Sequence, residues 1–99
     1  MLFPDLDARD TKRDAFRHAY WSALNAFTYN RYLAKQFGDA HEEEEDPNQT
    51  EEGRQMDIYN NSKGYDIGEY ARNQGYALEW IEQEVLYYLD NGLLMVIKE

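Results

Sequence analysis

Apolar residues return at steps of three and four along three stretches of this chain. In the first, Phe16, Ala19, Tyr20, Ala23, Phe27, Ala34 and Phe37 recur with no proline or glycine between Thr11 and Phe37. That spacing is the 3.6-residue period of an amphipathic helix, and Thr11 with Asp14 supplies a capping-box-like start. The pattern predicts one helix of about 26 residues, roughly 39 Å long if unbroken, with Gly38 as its stop or kink. Met56, Tyr59, Ile67, Tyr70 and Ala71 predict a second helix over 55–73, broken at Gly75. Ala77, Leu78, Ile81, Val85, Tyr88 and Leu89 predict a third over 76–90, with Asn91-Gly92 as its C-terminal cap. The apolar run 93–97 is either an extended arm or an isolated strand. The expected fold is all-α: a compact three-helix domain with a long first helix, an acidic loop and a short apolar C-terminal arm.

Composition narrows the picture further. Ninety-nine residues suffice for one hydrophobic core, so 1–99 is expected to be a single helical domain. A hydrophobic share of 42% with 15% aromatics is too apolar for intrinsic disorder. No stretch approaches the roughly 20 apolar residues of a membrane span. The absence of cysteine excludes disulfides and cysteine-based zinc sites. The opening Met1-Leu2-Phe3-Pro4-Asp5 has no signal-peptide character, which leaves a cytoplasmic protein or part of a larger secreted one.

The net charge of −10 is local. Eight of the 20 acids (Asp39, Glu42, Glu43, Glu44, Glu45, Asp46, Glu51 and Glu52) crowd into 39–53, a segment expected to form an acidic loop. The rest of the chain carries 12 acids against 10 bases and is near neutrality. Without a basic stripe the chain is poorly suited to nucleic acid, because phosphate contacts need Lys and Arg. The acidic loop suits a basic protein partner instead.

Both histidines lie beside carboxylates. On the first helix His18 falls well off the apolar stripe, on one side with Asp14, Trp21, Ser22 and Asn25. Asp14 stands four residues before His18, within reach to orient and charge the imidazole. On the second helix Asp57, Asn61, Gly64 and Gly68 form a line of polar and then small groups. Each glycine inside a helix costs about 1 kcal/mol relative to Ala, so close approach of another helix is the expected compensation. Such an approach carries Asp57 and Asn61 into an interface and brings them within reach of His18, which demands partners for them. His41-Glu42 follows Gly38. His18, His41 and Asp57 together are a donor set for Zn²⁺ or Mn²⁺, although their spacing matches no standard zinc pattern.

Three blocks carry a resemblance. Asp14-Ala15-Phe16-Arg17-His18-Ala19-Tyr20-Trp21, His41-Glu42 and Met56-Asp57-Ile58-Tyr59-Asn60-Asn61-Ser62-Lys63-Gly64 resemble, in order, a bacterial helical domain family of unknown function. The resemblance spans 14–68 and implies that His18, His41, Glu42, Asp57, Asn60 and Asn61 belong to one constellation. It brings no established activity.

Two functions suit these residues. One is a hydrolase-like site, either metal-assisted through His18, His41 and Asp57 or a metal-free two-histidine acid–base pair. In it His41 and Glu42 form a second ligand or acid–base pair, Asp57 completes the site, and Asn60 or Asn61 donates to an oxyanion or holds a substrate. The other is a non-catalytic interaction module whose polar cluster is a buried hydrogen-bond network that fixes helix packing.

Overall fold

The computed structural model describes residues 11–43 and 50–97, apart from the side chains of 41–43. Among the described residues the fold is all-α, with four helices where the periodicity predicts three. The first, α1 (Lys12–Thr28), begins at Thr11, whose hydroxyl accepts the Asp14 backbone N–H at 3.4 Å. The expected long helix then breaks at Tyr29-Asn30, and α2 (Arg31–Glu43) starts anew. Asn30 causes the restart: its side-chain oxygen accepts the Leu33 N–H at 2.8 Å, satisfying a free donor of the new first turn. The outgoing Phe27 and Thr28 carbonyls are met by Arg72 Nη1 at 2.8 and 3.3 Å. An apolar period survives such a break, which is why the stripe reads as one helix.

Gly38 is neither stop nor kink. It lies buried within α2, and helix continues into the segment expected to be an acidic loop. That segment is also shortened from its far end by α3 (Glu51–Gln74), so 39–43 and 51–53 are helical. Thr50 caps α3 by accepting the Gly53 N–H at 2.9 Å, and Glu51 and Glu52 occupy the first turn, where the helix dipole favours acids. Residues 44–49 fall outside the described residues. Gly75, at φ 73°, ends α3 in the left-handed conformation that glycine adopts without strain. The last helix, α4 (Leu78–Asp90), stops at Asn91 with Gly92 at φ 71°.

The arm 93–97 is irregular rather than a strand. Leu94 joins the core of Phe16, Met56, Ile67, Ile81 and Val85. The fully buried Asn60 holds the arm by both ends of its amide. Nδ2 donates to the Met95 carbonyl at 2.9 Å, and Oδ1 accepts the Met95 N–H at 2.8 Å.

The most extensive helix contact is α1 on α3. Contacts from His18–Asp57 through Ser22–Asn61 to Phe27–Arg72 ascend together, so the two helices run parallel. Gly64 and Gly68 seat α3 directly on the α1 backbone. A Cβ at either position would collide with the carbonyl oxygen of Ala19 or Ala23, respectively. It would also lie 2.8 Å from Ser22 Cβ or 2.9 Å from Ala26 Cβ. The glycine line thus meets the small residues Ala19, Ser22, Ala23 and Ala26. Backbones this close allow short side chains to bridge the interface.

Candidate functional site

Two stripes with the same i, i+4, i+8 spacing face each other across that close contact. Asp14, His18 and Ser22 come from α1, and Asp57, Asn61 and Tyr65 come from α3. His18 Nε2 lies 3.2 Å from Asp57 Oδ1 and 3.4 Å from Asp14 Oδ1. On the other side of the ring, Nδ1 lies 3.3 Å from Asn61 Oδ1. That same oxygen accepts the Ser22 hydroxyl at 3.0 Å. The Asp14 and Asp57 side chains are each 7% exposed and the His18 side chain 14%. Arg17 Nη2, at the rim, reaches Asp14 Oδ1 at 3.5 Å.

This geometry constrains where hydrogens and charge reside. Because Asn61 presents a carbonyl oxygen, the Nδ1 position of His18 must donate. Nε2 then faces two carboxylate oxygens, a place that suits a proton shared between the ring and a carboxyl group or a bound cation. Asp14, His18 and Asp57 each offer one ligand atom, all within 4.8 Å of one another. Tetrahedral coordination at about 2.0–2.1 Å places neighbouring ligands roughly 3.3–3.4 Å apart. Two of the three edges of such a ligand set, the 3.2 and 3.4 Å separations from Nε2, lie near that length.

The structure therefore brings together His18, Asp57 and Asn61, as the helix faces suggest. Asp14, expected to orient and charge His18 but not counted among the ligands, is a full member of the cluster, and Ser22, a neighbour given no role, completes it. Their positions at i−4 and i+4 from His18 were the available signal. Asn60 is elsewhere, spent on the arm. Adjacent helical residues point about 100° apart, so Asn60 and Asn61 cannot both serve one centre. His41 and Glu42 have their backbone in α2, one turn beyond Gly38, and their side chains lie outside the described residues. Trp21, on the same side of α1 as His18, is 43% exposed and stands at the edge of the contact.

The molecule is thus an all-α domain that carries a His–Asp–Asp–Asn cluster at its α1–α3 contact. The model of the domain of unknown function DUF6973 matches residues 1–92, and the chain belongs to that family. No curated protein and no solved structure matched this chain. Among the described residues, no helix is long and apolar enough to cross a membrane.

Proposed function

We propose that this domain binds a divalent cation, Zn²⁺ or Mn²⁺, through Asp14, His18 and Asp57, and that the centre serves hydrolytic chemistry. The observation that carries the reading is the pair of carboxylate oxygens converging on Nε2 while Nδ1 is committed to Asn61. A metal-ligating histidine commonly gives its second N–H to an acceptor that fixes the ring, and Asn61 with Ser22 supplies that support. Three protein ligands leave a further coordination position for water, whose acidity a divalent cation raises. The ligand set expected from sequence is His18, His41 and Asp57; in this reading Asp14 takes the third place beside His18 and Asp57.

The low exposure of both aspartates favours one competing reading, a histidinium locked between two carboxylates as a packing network. Metal content and titration separate the two. Protein purified without a histidine tag is subjected to elemental analysis, then stripped with chelator and titrated calorimetrically with ZnCl₂ and MnCl₂. The expected result is one cation per chain and a raised melting temperature, both lost in Asp57→Asn. No bound metal, no heat and no thermal shift in the folded wild-type protein would leave the packing network as the function of the cluster.

A further inference from the structure

The orientation of the Asn61 amide decides which atom His18 meets, yet its named partners do not by themselves dictate it. A serine hydroxyl and an imidazole nitrogen can each donate or accept. The other end of the amide points towards α2. A Cβ built on Gly38 would lie 3.8 Å from Asn61 Nδ2, 3.4 Å from Tyr65 Cζ, and in collision with the Tyr65 hydroxyl. The hydroxyl and Nδ2 thus border one spot, and a glycine keeps it open. Tyr65 stands one turn after Asn61 on α3, so the two side chains share a face. Its ring is 6% exposed and clusters with Ala26 of α1 and Ala34 of α2. The Arg31 guanidinium lies 5.9 Å from the ring centroid. The ring is therefore packed between α1 and α2.

We infer that Tyr65 is a positioning residue for the His18 site: its hydroxyl, admitted by Gly38, fixes the Asn61 amide with Oδ1 towards His18 Nδ1. Helix α2 contributes to the centre in this way by lacking a side chain. In this role Tyr65 acts on the centre through Asn61. The consequence for metal affinity rests on the cation reading above; the amide orientation does not.

The test is a cycle of Gly38→Ala, Tyr65→Phe and the double variant, read by thermal melts and by nitrogen-15 NMR of the imidazole. The chain has two histidines, so His41→Gln assigns the His18 signals. Gly38→Ala is expected to lower the melting temperature in the wild-type background. In the Tyr65→Phe background it should raise it, because the colliding oxygen is gone and alanine is the better helix former. The wild-type protein should show a slowly exchanging Nδ1–H resonance that Tyr65→Phe loses or broadens. Zn²⁺ affinity should fall about 10–100-fold in Tyr65→Phe, the usual effect of removing support behind a ligand. Should Tyr65→Phe alone fold poorly, the double variant gives the same NMR reading. Equal destabilisation by Gly38→Ala in both backgrounds would overturn the inference. An unchanged Nδ1–H resonance in folded Tyr65→Phe or in the double variant would do the same. A wild-type protein that binds no Zn²⁺ but passes both structural tests would remove the cation reading and leave this one standing.

Discussion

Substituting Gly64 by alanine tests the α1–α3 contact and the site together. On helix propensity alone the change should stabilise α3 by about 0.8–1.0 kcal/mol. Packing opposes it. The new Cβ would strike the Ala19 carbonyl oxygen and stand 2.8 Å from Ser22 Cβ, whereas carbon atoms rest comfortably at roughly 3.5–4.0 Å. The obstacle is backbone, so no side-chain rotation relieves it, and α1 and α3 must separate by about 1 Å. Overpacking of this kind costs about 1–3 kcal/mol, and a clash with backbone belongs at the upper end. The net expectation is a loss of about 1–2 kcal/mol, which lowers the melting temperature of a domain this size by roughly 4–16 °C. The same separation stretches the 3.2 Å His18–Asp57 contact past hydrogen-bonding distance, so cation-dependent stabilisation should shrink as well. Thermal melts followed by far-ultraviolet circular dichroism, with and without Zn²⁺, measure both effects. A melting temperature raised by several degrees would show that propensity governs and that the two helices do not meet at Gly64.

Gly68→Leu places a larger group against Ala23 and Ala26 and should destabilise more than Gly64→Ala, with loss of cooperative unfolding as the extreme outcome in a urea titration. Asn60→Ala strips both backbone partners from Met95 and should free the arm. Limited proteolysis after Gly92 is the assay, with a loss of about 1–3 kcal/mol in a denaturant melt. Thr50→Ala removes the α3 cap and should cost about 1 kcal/mol in a denaturant melt. Burial, followed by the nearby Glu82 and Glu79 charges, raises the Tyr20 hydroxyl above its usual 10.0. The unfolded chain therefore releases this proton first. The stability contribution is intact below pH 10 and falls as pH rises through the folded-state value. Melts from pH 8 to 11 should show an alkaline decline that Tyr20→Phe reduces.

Helical class, the α3 terminus at Gly75 and the α4 terminus at Asn91-Gly92 were legible along the chain, since each rests on local periodicity or local backbone chemistry. So was the close approach at Gly64 and Gly68: two glycines in a helix interior are costly unless another backbone occupies the space they leave. Asp57 and His18 could be paired across the interface on the same reasoning. The break at Asn30 was not distinguishable from continuous helix, because apolar spacing carries through a one-residue cap. The role of Gly38 was likewise hidden. A glycine that terminates a helix and one that makes room for a distant hydroxyl look alike until Tyr65 is brought to it.

Sequence by itself determined which side chains share a helix face, a consequence of the fixed 100° turn per residue. By that rule Asp14, His18 and Ser22 form one stripe, and Asp57, Asn61 and Tyr65 another. Only the tertiary structure decided that the two stripes face each other in parallel register, with Asp14 as well as Asp57 on Nε2 and Asn61 on Nδ1. That register depends on contacts some 39–45 positions apart, from Ser22–Asn61 to Phe27–Arg72. The balance between Asn60 and Asn61 was decided in the same way. One turns to the arm and the other to His18, because α3 is packed on two sides and a helix can present adjacent residues to only one side each.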